Sequence, residues 1–118
     1  HKGVKGILNS VKGYEKNADS YIYILELSNE SVKPKVVCVG QTINIHKRLR
    51  THIFKGLDSS FPLEIDSKVI NSKDVNFDID ILEIDSLYNT SKKLRLYLEQ
   101  QKQNAMCREY PNALVVGK

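Results

Sequence analysis

The chain of 118 residues has no tryptophan, one methionine, three prolines and two cysteines. Cys38 and Cys107 stand far apart and neither has a CxxC partner. That argues against a disulfide framework and against a zinc ribbon, and makes a reducing cytoplasm the expected compartment. No apolar run approaches the roughly 20 residues needed to cross a bilayer, so no membrane partner is expected. The opening HKGVKG has neither an initiator methionine nor a charged-then-apolar signal pattern, and reads as part of a longer chain. Internal repeats, low-complexity tracts and an interdomain linker are all missing. Residues 1–118 are therefore expected to form one domain, a leading helical segment over 1–20 and a core over 21–118.

Acidic residues are missing from one stretch in particular. Residues 41–56 hold Lys47, Arg48, Arg50 and Lys55 and no Asp or Glu. Residues 57–85 reverse this, with eight acids against Lys68 and Lys73, and residues 86–118 turn basic again. The net charge is +4. Two basic segments separated by an acidic one are expected to form a positive face with an acidic back, a distribution suited to an anionic partner.

What is present has a clear order. In GILNSVKGYE, Ile7, Val11 and Tyr14 recur at helical spacing and predict a short leading helix. YIYILEL (21–27) is rich in β-branched and aromatic residues and reads as a strand. SNESVKP supplies a turn with a proline stop, and KVVCV (35–39) reads as the antiparallel return, closed by Gly40. Asn44 is a candidate N-cap for a helix from Ile45 to about Lys55, ended by Gly56, with Ile45, Leu49 and Ile53 as its apolar stripe. Arg48 and His52 are four apart and sit at that stripe's edge, leaning over the end of the sheet.

Residues 57–76 are expected as loop with a short helix around LEIDSKVI. NFDIDILEI (76–84) alternates as a half-buried third strand. From Ser91 to about Cys107, Leu94, Tyr97, Leu98, Gln101 and Ala105 trace a helical stripe that Pro111 ends, and ALVV is placed to return to the sheet. The β-β-α-β-α order predicts an α+β fold, a small, mainly antiparallel three-stranded sheet flanked by helices.

YIYIL, then VCVGQT, then NIHKRLRTH, in that order, resembles the GIY-YIG nuclease domain. The resemblance starts near Tyr21 and extends to about Asn112. Tyr21-Ile22-Tyr23 stands where GIY would, with the functional tyrosine as Tyr23, and Cys38-Val39-Gly40 stands where YIG would, with cysteine replacing tyrosine. Arg48 matches the helix arginine of the family and His52 its partner one turn on. Glu99 in LYLEQQ matches the metal-binding glutamate, and Asn112 in EYPNAL the asparagine that follows it.

The resemblance implies a metal-dependent DNA endonuclease that hydrolyses phosphodiester bonds with one divalent cation, Mg2+ or Mn2+, at Glu99. In that scheme Arg48 carries charge to the phosphate oxygens, since its planar fork binds phosphate and keeps its proton. Tyr23 orients water or phosphate. His52 is suited to take a proton near neutral pH. A single carboxylate suffices for Mg2+, whose shell water and substrate oxygens complete. Gln41, Lys47, Arg50 and Lys55 are the expected DNA contacts. Sequence recognition would fall to a DNA-targeting domain or partner, since no base-reading motif is present.

Cys38 leaves three readings open. His52 has taken over the base role, or Cys38 is a packed strand residue in a weakened nuclease, or the domain only binds DNA. A basic α+β domain that binds RNA or protein is a further alternative, because fold does not determine function. Taken singly, each position has an ordinary explanation. Tyr23 and Cys38 read as strand residues, Arg48 and His52 as a solvated helix face, and Asn112 as a turn residue. Glu99 lies about 100° from Leu98 on the helical wheel, so periodicity alone predicts solvent for it.

Overall fold

A computed structural model describes residues 4–11, 14–32, 35–57 and 60–117. The SNESVKP turn falls partly outside them, as Lys33 and Pro34 are not among the described residues. Strand β1 (Ser20–Ser28) is buried along nearly its whole length, because it is central in the sheet and covered on both faces. That double cover explains why its sequence is almost continuously apolar instead of alternating. On one side β1 pairs antiparallel with β2 (Val36–Thr42), and on the other with β5 (Asp78–Leu87).

The three expected strands are therefore present, and a fourth joins them. Strand β6 (Leu114–Gly117) pairs parallel with β2, giving a mixed sheet in the order β5-β1-β2-β6. A parallel partner needs a long crossover, and helix α3 (Lys92–Glu109) supplies it. The LEIDSKVI segment is not helical. It forms a hairpin of β3 (Pro62–Ile65) and β4 (Lys68–Asn71). Asp66 and Ser67 at its tip both have positive φ, as a two-residue hairpin turn of the primed type demands.

The two faces of the sheet have different cover. Tyr21, Tyr23, Leu25 and Leu27 with Val36 and Cys38 meet α1 (Val4–Asn9) and α2 (Ile45–Lys55) through Val4, Leu8, Ile45 and Leu49. Ile22, Ile24, Val37 and Val39 face α3 through Met106. The two basic segments therefore lie on opposite layers, not on one shared face. In β5 a bulge opposite Ile24 and Leu25 resets the alternation. Ile84 turns inward beside Ile81, and Glu83 turns toward α3, where Lys102 bridges Glu83 at 2.7 Å and Asp85 at 3.0 Å.

Helix α2 begins as expected: the Asn44 side chain accepts from the Lys47 N–H at 3.1 Å. Gly56 ends it at φ +84°, a left-handed conformation that favours glycine. The leading helix is shorter than its periodicity implied, stopping at Asn9. No helix among the described residues is long and apolar enough to cross a membrane.

Candidate active site

Tyr23 projects from β1 toward α2 and is 0% exposed. Its register partner is Gly40, and the phenol lies across that glycine so closely that a Cβ there would overlap the hydroxyl and Cζ. Gly40 does not close the strand, since β2 continues to Thr42. Its contribution is the missing side chain, which makes room for the ring.

Helix α2 supplies the phenol's partners. Arg48 Nε donates to Tyr23 Oη at 3.3 Å, and His52 Nε2 lies 3.0 Å from the same oxygen. With Oη accepting from the guanidinium, the phenolic proton is placed for donation to Nε2 when the ring carries its own hydrogen on Nδ1. Burial pushes the Tyr23 pKa up to about 12 against the opposing pull of the Arg48 bond and charge, and Cys38 and Glu99 add to the rise. The phenol is therefore protonated at neutral pH and acts as a donor.

His52 is not at the edge of the α2 stripe. It is 0% exposed and shares the buried face with Ile45 and Leu49, while Ile53 is only half-buried. The positions 45, 49 and 52 turn inward because β1 offers His52 a hydroxyl partner there. Enclosed this way, the imidazole meets bulk water only by way of its neighbours. Arg48 is the half-buried member of the trio.

Glu99 lies on the buried side of α3 at 7% exposure, against the expectation from periodicity. Its neighbours show where it sits. One turn earlier, Arg95 Nε donates to Gln41 at the end of β2 at 3.2 Å. One turn later, Gln103 Nε2 donates to Glu99 Oε1 at 3.3 Å and packs against Gly117, the register partner of Val39. Glu99 is thus level with the Gly40 end of β2, and its charge acts on the Tyr23 phenol. The fold brings Tyr23, Arg48 and His52 into contact on the α2 face of the sheet, while Glu99, on the α3 face, reaches the phenol only through its charge.

The remaining expected site residues are distributed differently. Cys38 is buried in the apolar cluster around Tyr23, opposite Leu25 in register. Asn112 is exposed in the turn after α3, beyond the Val36 end of β2, where Leu114 pairs. Six strand positions then separate its level from Gly40, roughly 20 Å at about 3.3 Å per residue, so the fold does not bring Asn112 to the cluster. Gln41 is held by Arg95, which also donates from Nη1 to Thr90 O at 2.9 Å. Lys47, Arg50 and Lys55 are exposed on the outer side of α2.

Among the described residues no group of three or more His, Cys, Asp or Glu side chains is arranged to hold a metal ion. The fit to a divalent cation therefore rests on Glu99, a hard oxygen donor of the kind Mg2+ uses singly. A cavity of about 500 Å³ lies at the C-terminal end of α2, between residues 52–57 and 72–79, and Tyr23, Arg48 and Glu99 do not line it.

Several supporting residues escaped the sequence reading. Tyr14 Oη and His46 Nε2 are 2.8 Å apart, and the Tyr14 ring stacks on Tyr21 at a centroid distance of 5.8 Å. Tyr21 in turn donates to the carbonyls of Glu15 and Lys16, tying the approach to β1 onto α2. Arg95 and Gln103 are legible in the sequence only as polar residues four positions from Glu99, a spacing that puts them on its face of the helix. No family model matches the chain, and neither a curated protein nor a solved structure matches it.

Proposed function

We propose that the protein is a metal-dependent DNA endonuclease of GIY-YIG type, acting through Tyr23, Arg48, His52 and Glu99. One observation carries this reading: the Tyr23 hydroxyl is held between Arg48 Nε and His52 Nε2 under the influence of the Glu99 charge. Arg48 would exchange its bond to the phenol for one to a phosphate oxygen, bringing substrate to Oη with its charge intact. Tyr23, too weak an acid to serve as an anion, would pass its proton to His52 Nε2 as it takes one from the attacking water. His52 Nε2 would then hold the proton. A divalent cation at Glu99, Mg2+ or Mn2+, would supply Lewis-acid stabilisation of the phosphate.

Incubation with supercoiled plasmid and Mg2+ or Mn2+ tests this directly. Nicking is expected, with losses on the order of 100-fold or more for Glu99→Gln and Arg48→Ala, as for removal of a group stabilising transition-state charge. Nicking that survives Glu99→Gln rejects the site. His52→Ala is expected to abolish cutting and Cys38→Ala to preserve it; the reverse pattern would place the base at Cys38.

A second reading has its own support. The phenol is wholly enclosed, and the buried Cys38 has neither the reach nor the hydroxyl of a tyrosine. A DNA-binding module that has lost hydrolysis would retain DNA in a salt-dependent way through Lys47, Arg48 and Arg50. It would show no metal-dependent nicking, and Cys38→Tyr would restore cutting.

A further inference from the structure

The buried side of α2 accounts for Ile45, Leu49 and His52. Its opposite side carries Lys47, Arg50, Thr51 and Phe54, at the spacing of three and four that makes one stripe. Together with Lys55 these residues line an open groove of about 490 Å³. The helix contains no acid, and Lys47, Arg50 and Lys55 are all exposed. In the middle of these cations the Phe54 ring is 66% exposed. Leaving such a ring in water forgoes about 1.5–3 kcal/mol of burial, and polar residues would suit the outward face of a surface helix better.

We propose that this stripe binds single-stranded DNA, with Phe54 as a stacking platform for an unpaired base and Lys47, Arg50 and Lys55 on the phosphates to either side. The charge pattern selects the occupant. A nucleic acid strand pairs flat apolar rings with regularly spaced negative charge, which is the complement of an aromatic ring set among cations. In a duplex the base faces are already stacked on each other, so Phe54 has nothing to accept and only the cations engage. The surface therefore prefers single-stranded or unpaired regions to intact duplex. This rests on the nuclease reading only in taking DNA as the partner.

Anisotropy of a labelled mixed-sequence oligonucleotide, single-stranded or annealed, tests the inference in EDTA across a salt series. No cleavage is involved, so failure here leaves the plasmid result standing. The single strand is expected to bind more tightly than the duplex. Phe54→Ala should weaken single-strand binding about 5- to 100-fold, the range for losing one base–aromatic stack, while duplex binding changes less than about two-fold. Phe54→Trp should restore it. Lys47→Ala and Arg50→Ala should weaken both forms and flatten the salt dependence, as fewer counterions are released. Unchanged single-strand affinity in Phe54→Ala overturns the proposal. So does an equal loss on both forms, or retention of an acidic peptide with no oligonucleotide binding.

Discussion

Helices α2 and α3 pack on opposite faces of one sheet and distribute their side chains by opposite rules. On α2 the apolar residues Ile45 and Leu49 go in and the cations stay out. On α3 the large apolar residues Leu94, Leu96 and Tyr97 are exposed, and Glu99 goes in beside Met106. Burial of hydrophobic surface positions the first helix. The second packs Met106, Leu98 and Ala105 on the sheet and adds polar contacts: Arg95 to Gln41, Gln103 to Glu99, and Lys102 to Glu83 and Asp85. A buried charge is expensive unless it is partnered, and Gln103 Nε2 donates to the Glu99 carboxylate while Leu94, Leu96 and Tyr97 of the same helix stay exposed.

The largest effect should come from the conventional helix. Leu49→Ala removes a fully buried side chain between α2 and the sheet, and urea denaturation should show a loss of about 2–5 kcal/mol. A loss below about 1 kcal/mol would mean that α2 is not held by its apolar stripe, and the contrast with α3 would vanish.

Next comes the polar centre between the helices. Tyr23 has its pKa raised from 10.0 to about 12 in the folded chain, by burial above all. The stability it contributes is full below the unfolded value and is lost as pH climbs through the folded one. Wild-type stability should therefore fall between about pH 10 and 12 more steeply than that of Tyr23→Phe, by up to about 3 kcal/mol over the two units. Parallel curves for the two proteins would show that the phenol is not enclosed in solution.

The smallest effect belongs to the unconventional helix. Leu96 is 47% exposed, so Leu96→Ala should change stability by no more than about 0.5 kcal/mol. A loss of 2 kcal/mol or more would show that this face is covered, and that α3 follows the same rule as α2 after all.

Much of this was legible beforehand, and the misses share a cause. The strands β1, β2 and β5, the Asn44 cap and the start of α3 follow from composition, turn residues and caps, which act over a few positions. The hairpin at 62–71 replaces the short helix expected there because Leu63, Ile65 and Ile70 fit helical and strand spacing alike. Asp66 and Ser67, able to take positive φ, were the clue that decides it. For α3, periodicity counted Leu94 and Tyr97 as the inner face. Which side of a helix is inner depends on what the sheet presents to it, and no local pattern carries that. Asn112 was aligned by its distance in sequence from Glu99, but the parallel return of β6 carries it to the far end of β2.

The order of chain segments, the apolar first strand and the capped basic helix are written in the sequence, because each rests on chemistry between residues that are neighbours or nearly so. The meeting of Tyr23 with His52 and Arg48, and the inward turn of Glu99, were decided by tertiary structure. The hydrogen bonds to Tyr23 join residues 25 and 29 positions apart, and a phenol acquires its buried partners only once the sheet has set the level and face of each helix.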